Sequence, residues 1–208
     1  MTGAALENLN TDPADLAGLG NLTLIFEGGA AVTDDFEAAG QDKGADLAGW
    51  TNNFALSTLQ LAGSAAGRIR LVDTFDNRPG WVGDEAVYTG TLVMNAGATI
   101  DPGGLNLYYL NGGAAKQFFR GDAKLDGNVD VIDLAALGNN FESTGATWAT
   151  ADFNGDGLVD VLDLAILANN FGSETGGLVG TPVPEPATFS LLVLGAMSLL
   201  RRKRERLH

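Results

Sequence analysis

The first half of the chain alternates short apolar runs with Gly, Asn and Asp turns. The runs have the length and the period-two alternation of β-strands. They lie at residues 21–29, 53–63, 67–75, 86–100 and 105–113. Short strands separated by turn residues are typical of all-β domains, so the pattern predicts a mainly-β region over residues 1–115.

Two later segments carry a helical pattern instead. Residues 133–141 and 163–171 read DLAALGNNF and DLAILANNF, which places Leu, Leu and Phe on one helix face. Helices of about nine residues are too short to be stable alone in water. We therefore expect the two apolar faces to pack on each other, with Trp148 as a lid.

The two helical segments belong to a tandem duplication. Residues 121–141 align with residues 151–171 without gaps, and thirteen of the twenty-one positions are identical. Each copy begins with an acidic loop, and the second loop reads D-x-N-x-D-G-x-x-D-x-x-D from Asp152 to Asp163. This is the spacing of an EF-hand-type calcium loop with Asp in place of Glu at its twelfth position.

A bound cation explains why so many acids lie close together. Like charges at this density destabilise a compact chain unless a cation neutralises them, and Ca²⁺ takes six to eight oxygen ligands. The predicted ligands of the second loop are Asp152, Asn154, Asp156, the Leu158 carbonyl, Asp160 and Asp163. Those of the first loop are Asp122, Asp126, the Asn128 carbonyl, Asp130 and Asp133.

The two loops differ at position three, where the first has Lys124 and the second has Asn154. An ammonium only donates hydrogen bonds and does not ligate a cation. We therefore predict two calcium sites, of which the 122–133 site is the weaker. The alternative is an Asx-rich turn that does no more than cap a helix.

Composition narrows the function. The chain has 26 acidic and 12 basic residues and a net charge of −14, which disfavours nucleic acid because phosphates need Lys and Arg. It has no Cys, and His208 is its only His. Cys nucleophiles, Ser-His triads and zinc sites built from His or Cys are therefore excluded.

The two loop–helix units at residues 121–172 resemble the type I dockerin domain. The resemblance implies a small all-α, calcium-binding domain at residues 119–173 that docks onto a cohesin-like domain, commonly in assemblies that degrade polysaccharides. Dockerins select their partner at loop positions ten and eleven. The implied partner-binding residues are Val131, Ile132, Val161 and Leu162.

The apolar character of these four residues leaves an alternative. They could instead face the core of their own domain or the neighbouring strand region. We expect the strand region and the calcium-binding region to have separate cores, so that loss of calcium unfolds residues 121–172 and leaves the strands largely intact.

The C-terminus carries three signals in order. A Pro-Glu-Pro motif precedes an apolar run at residues 187–200, and a basic cluster follows. Fourteen apolar residues are short for a stable membrane span, and the basic cluster should stay cytoplasmic. The motif is Pro184, Glu185 and Pro186, and the cluster is Arg201, Arg202, Lys203, Arg204 and Arg206.

Residues 183–206 resemble the PEP-CTERM sorting signal of Gram-negative bacteria. The resemblance implies an exosortase-type processing enzyme, transient insertion of a hydrophobic helix into the inner membrane, and release or attachment outside it. A plain membrane anchor is the alternative. Residues 174–182, rich in Gly and small polar residues, are predicted to be a flexible linker.

Together these patterns predict a multi-domain protein, with a mainly-β N-terminal region, a small all-α domain and a C-terminal hydrophobic helix. The strand region loosely resembles the last rungs of the parallel β-helices of autotransporter-like and adhesin-like surface proteins, and a β-sandwich is the alternative. No signal peptide opens the chain, although its end argues for export. We therefore expect the C-terminal part of a longer exported protein, or a gene start that was placed too late.

Two functions of different classes remain open. The first is a non-catalytic surface or extracellular-matrix protein, with surface polysaccharide as a further partner. The second is the C-terminal part of a carbohydrate-active enzyme, which needs two carboxylates roughly 5–9.5 Å apart. The candidates are Glu27, Asp34, Asp35 and Glu37, which are equally typical of turn and cap acids.

Overall fold

A computed structural model describes residues 6–27, 33–61 and 67–176. Within these ranges the chain forms nine strands, two α-helices and three short 3₁₀ helices. The strands are β1 (Thr23–Phe26), β2 (Asp34–Glu37), β3 (Gly40–Gln41), β4 (Leu56–Leu61), β5 (Arg68–Val72), β6 (Glu85–Met94), β7 (Thr99–Asp101), β8 (Asn106–Asn111) and β9 (Ala114–Gln117). The α-helices are α1 (Val131–Asn140) and α2 (Val161–Asn170), and the 3₁₀ helices are Pro13–Asn21, Leu47–Trp50 and Trp148–Thr150.

The strands of the N-terminal region lie in two sheets that the chain visits alternately. In the described residues, the first sheet has the order β1-β4-β6-β8-β9, with β3 beside β6, and the second has the order β2-β5-β7. Pairing is parallel throughout except for β3 with β6 and β8 with β9. The predicted strand-rich region is therefore confirmed, and it is built mainly from parallel ladders.

The register stacks like residues above one another. Leu24 pairs with Leu59, which pairs in turn with Leu92, and Ile69 pairs with Ile100 in the second sheet. Stacked apolar side chains at aligned positions fill the space between the two sheets, since alternate residues of a strand point to the same face.

Aromatic residues cover the opposite face of the first sheet. The rings of Tyr88 and Tyr108 stack with centroids 4.9 Å apart, and the Trp50 ring meets Tyr88 edge-on at 5.0 Å. A Cβ on Gly49 would lie 2.0 Å from the Tyr88 ring, so only glycine permits this close approach. The Leu47–Trp50 helix thereby shields this face from water.

The helical region consists of two loop–helix units, as the sequence predicts. Asp130 and Asp160 cap the helices, and each side chain accepts a hydrogen bond from a backbone N–H of the first turn. Each loop pairs with the segment that follows the other unit's helix, through an Asn128–Glu174 bridge and a Thr144–Leu158 bridge. The two units therefore depend on each other for their backbone pairing.

The two regions share one hydrophobic core, which contradicts the prediction of separate cores. Buried residues of the strands, such as Leu59 and Ile100, belong to the same continuous cluster as Val129 and Leu137 of the helical region. Trp148 lies in this cluster with 1% of its surface exposed. The physical reason is that two short helices bury too little apolar surface alone.

No helix within the described ranges has the length and apolar character needed to span a membrane.

Candidate metal centre

Position one of each loop is a carboxylate buried at the base of the loop. Neither Asp122 nor Asp152 has exposed surface. Oδ2 of Asp122 accepts the N–H of Gly127 at 2.7 Å, and Oδ2 of Asp152 accepts that of Gly157 at 3.0 Å. These glycines have φ of 81° and 85°, which favours glycine, and they turn each loop back over its first carboxylate.

Position twelve closes each loop from the helix side. In the first loop, Asp133 accepts the backbone N–H groups of Ala123 and Asp130, both at 2.9 Å. Asp163 makes the corresponding bonds in the second loop, at 2.8 and 2.9 Å. Positions one and twelve thus hold each loop in shape through backbone donors.

Position five forms the tip of each loop. Oδ1 of Asp126 accepts the N–H of Asn128 at 3.1 Å, and Oδ1 of Asp156 accepts that of Leu158 at 2.8 Å. Each Asp therefore folds back over the residue whose carbonyl is the predicted position-seven ligand.

Position three distinguishes the loops. In the second loop, the Asn154 side chain accepts the N–H of Asp156 and donates to its carboxylate, both at 2.9 Å. In the first loop, the Lys124 side chain is exposed. The ammonium therefore points its charge into solvent instead of over the loop.

Burial disfavours the charged form of three loop carboxylates. It raises the pKa of Asp122 to about 6, with a further increase from Asp133 and Asp126, while the backbone N–H groups of Gly127 and Asp126 oppose the shift. Burial likewise raises the pKa of Asp133 and of Asp152. A bound cation would offset the cost of burying these charges.

The donor set fits a hard cation. The predicted ligands are carboxylate, amide and carbonyl oxygens, which suit Ca²⁺. Within the described ranges, however, no group of three or more His, Cys, Asp or Glu side chains is arranged to hold a metal ion. The carboxylates instead accept backbone N–H groups, so that calcium would have to draw the position-five and position-nine side chains inward.

The predicted partner-binding residues face solvent, which overturns the alternative that they face a core. Val131 is 64% exposed and Ile132 is 49% exposed, and their equivalents Val161 and Leu162 are 61% and 56% exposed. They occupy the first turn of each helix, on the side opposite the buried Leu137 and Leu167.

The strand region contacts the first loop, which the sequence pattern does not reveal. The Tyr109 hydroxyl lies 3.5 Å from Oδ2 of Asp122, and Nδ2 of Asn111 donates to the Leu125 carbonyl at 2.9 Å. Trp148 donates from Nε1 to the Asp122 carbonyl at 2.6 Å. Trp148 therefore does more than cover the helices, because it also fixes the start of the first loop.

A different part of the strand region contacts the second loop. The Arg68 guanidinium donates to the Gly155 carbonyl. A Cβ on Gly155 would lie 2.6 Å from Cγ2 of Thr99 and 2.7 Å from the Gly97 carbonyl oxygen. The second loop is therefore seated directly on the end of the second sheet.

The four carboxylates considered for glycoside hydrolysis lie in or beside the first two strands. Asp35 forms an ion pair with Arg70 at 2.8 Å. Glu37 accepts the N–H groups of Thr74 and Phe75, both at 2.8 Å. Asp34 is buried, whereas Glu27 is exposed. Asp35 thus binds β2 to β5, and Glu37 binds β2 to the loop that follows β5.

Several predicted features lie outside the described residues. These are the sorting motif at Pro184–Pro186, the hydrophobic helix at 187–200, the basic tail and most of the linker at 174–182.

Comparison with known protein families identifies two of the predicted segments. The model of the dockerin type I domain matches residues 120–172, and that of the PEP-CTERM protein-sorting motif matches residues 182–204. Type I dockerin domains bind calcium and cohesins, and PEP-CTERM signals are processed by exosortase. Searches among curated proteins and solved structures gave no significant match. The predicted dockerin domain and sorting motif are thereby confirmed.

Proposed function

We propose that this chain is a non-catalytic, exported surface or matrix protein that docks onto a cohesin-type partner through a dockerin domain with two calcium sites. The observation that carries the proposal is the placement of the two apolar pairs. Val131 and Ile132 are exposed on one helix, and their duplicates Val161 and Leu162 are exposed on the other. The two exposed apolar pairs lie at equivalent positions, next to the buried loop carboxylates. Exposed apolar surface of this kind is typical of protein–protein docking sites.

A binding experiment with a purified type I cohesin module tests the docking surface. Replacing both pairs by Asp should weaken binding at least about 100-fold, because charged groups would be buried against the partner. The control is Val82→Asp, since Val82 is 96% exposed and lies outside the dockerin domain. Equal binding by the fourfold variant and the wild-type protein would contradict the proposal.

We further infer that the strand region is the end of a parallel β-helix. Support comes from the alternation of the chain between two parallel ladders and from the aligned register of successive strands. Thr58 pairs with Thr91 on neighbouring strands, so Thr58→Cys with Thr91→Cys should form a disulfide in this otherwise Cys-free chain. Thr58→Cys with Thr99→Cys, which joins different sheets, should not.

We infer that the C-terminal tail is removed after export. The matched sorting motif at residues 182–204 contains the Pro-Glu-Pro sequence, then the apolar run and then most of the basic cluster, which is the order expected of a processed signal. Protein recovered from outside the cells of the native host should therefore lack the terminal RRKRERLH. Intact-mass measurement tests this. Full-length protein retained in the inner membrane would instead indicate a plain anchor.

A further inference from the structure

A second acidic site lies in the strand region, away from the duplicated loops. Glu85, the first residue of β6, is 4% exposed, and neither of its carboxylate oxygens has a hydrogen-bond partner. The Oδ1 atom of Asn77 is also buried without a partner, although Nδ2 of that residue donates to two backbone carbonyls. Unpaired buried oxygens are costly, and they are rare without an ion or water.

Other acids surround Glu85. Burial raises the pKa of Glu85 to about 7, and the charges of Asp73 and Asp76 raise it further. The backbone N–H groups of Arg78 and Asn77 lie near enough to oppose the shift, but they do not reach normal hydrogen-bond geometry with the carboxylate. Burial also raises the pKa of Asp73, with contributions from Glu37, Asp76 and Asp84. The buried carboxylate therefore lies beneath a rim of exposed acids.

Among the described residues, no basic side chain forms an ion pair with this cluster. Within the part of the chain that the structure describes, the ion pair is the one between Arg70 and Asp35. Arg78, the nearest base in the sequence, directs its guanidinium over the Phe54 ring, 5.8 Å from the centroid. The negative charge around Glu85 thus lacks the partner that a buried charge requires.

Glu37 fixes the loop that carries the rim. Its carboxylate accepts the N–H groups of Thr74 and Phe75 as well as the Thr74 hydroxyl. Asp76 in turn accepts the N–H of Arg78 at 3.0 Å. These bonds tie residues 74 and 75 to the end of β2 and turn the chain at residues 76–78, so that the loop is positioned before any ligand arrives.

We propose that Glu85 and Asp73, together with Oδ1 of Asn77, bind a calcium ion at this loop. Its potential ligands are all hard oxygens, and Ca²⁺ accepts irregular sets of six to eight oxygens where Mg²⁺ demands a regular octahedron. No three described carboxylates are arranged around a metal here. The same holds at the duplicated loops, so both kinds of site would close around the ion on binding.

Calcium counting on the full chain tests the proposal. After equilibration with calcium, native mass spectrometry should show that Glu85→Gln binds one ion fewer than the wild-type protein, and calorimetry should show that affinity at this site falls at least about tenfold. Glu7→Gln is the control, since Glu7 is an exposed acid of the same type. Its calcium count should equal that of the wild-type protein.

A second variant keeps the test decisive if Glu85→Gln fails to fold. Asp73 is exposed, so Asp73→Asn should fold and should likewise lose or weaken one ion. A folded Asp73→Asn protein with the wild-type count and affinity would overturn the proposal. So would a Glu85→Gln protein that is stabilised equally with and without calcium, because Glu85 would then be an ordinary buried acid.

Discussion

The two acidic loops are duplicates in sequence but lie against different neighbours. The first loop contacts the β8–β9 hairpin, where Tyr109 approaches Asp122. The second loop is seated on the end of the second sheet, where Arg68 donates to the Gly155 carbonyl. The loops share the hydrogen bond from position six to position one and those from positions two and nine to position twelve. They differ at position three, in the second bond that position one accepts, and in their neighbours.

Position four shows how the surroundings select the residue. The first loop has Leu125 there with φ of 51°, and the second has Gly155 with φ of 72°. The backbone conformation is therefore shared, although it is strained for Leu. Only in the second loop does the neighbouring sheet leave no space for a Cβ. At position four, the duplicated units therefore diverge where their packing differs.

Calcium removal should have the largest effect and should break both loops together. With chelator, we expect the helical circular dichroism signal to collapse, because helices of ten residues depend on the loops that begin them. Because the core is shared, amide exchange should also rise in β8 and β9, while β1 and β2 serve as internal controls. A helical signal indifferent to chelator would refute the calcium assignment.

Gly155→Ala tests whether packing against the sheet constrains the second loop. We expect a loss of about 2–4 kcal/mol in the free energy of unfolding, because the new methyl group meets backbone and the positive φ is unfavourable. Gly145→Ala is the control, since Gly145 has φ of 66° and open space around it. It should cost only about 1 kcal/mol. Equal losses in denaturant titration would show that the sheet does not constrain the second loop.

Acidification should affect the first loop in two opposite ways. The folded-state pKa of Asp122, about 6, lies above the ordinary 3.8, so the calcium-free fold is stabilised by this group at low pH and loses that stability as pH rises through about 6. Calcium needs the ionised carboxylate, so its affinity should fall about tenfold per pH unit below 6.

Melting curves at pH 5 and pH 7 measure both effects. With chelator, the melting temperature should be higher at pH 5, and the increase caused by calcium should be smaller there than at pH 7. Asp122→Asn should remove the part of this pH dependence that Asp122 contributes, while the part from Glu85, whose pKa is about 7, should remain. A pH dependence that persists unchanged in the variant would assign the effect to other acids.

Lys124→Asn should have the smallest effect and should make the loops more alike. Asn supplies the oxygen that Lys lacks, so calcium should bind the weaker site about three- to tenfold more tightly in calorimetry. Lys43→Asn removes the same charge far along the chain and should leave both sites unchanged. Two equal sites in the unaltered protein would show that position three contributes nothing.

The duplicated loops could be predicted closely because their chemistry is local. The capping acids, the glycines at position six and the two helices follow from residues within twelve positions of one another. The longer strands were also predicted, since each carries its own alternating pattern. In contrast, β2, with the sequence DDFE, was missed because its acids mask the pattern and are satisfied by distant partners such as Arg70.

The shared core could not be predicted because it depends on long-range packing. Nothing near Trp148 in the sequence indicates that its ring packs between Phe118 and Phe153, with centroids 5.3 and 5.2 Å away. The surroundings of Glu85 could not be predicted for the same reason, because Asp73 and Asn77 lie near it only once the intervening loop has folded. Periodicity reveals which face is apolar, but it does not reveal what that face meets.

Parallel pairing also sets the pace at which this chain folds. Thr23 pairs with Thr58, and Thr58 lies in turn beside Thr91, so each ladder closes only after a long intervening segment has been ordered. Non-local pairing of this kind slows folding to milliseconds or seconds. The two helices are too short to be stable before the strands have paired. We therefore expect strand pairing to limit the refolding rate. When calcium is in excess, the rate should not depend on the calcium concentration, even though the stability of the folded protein does.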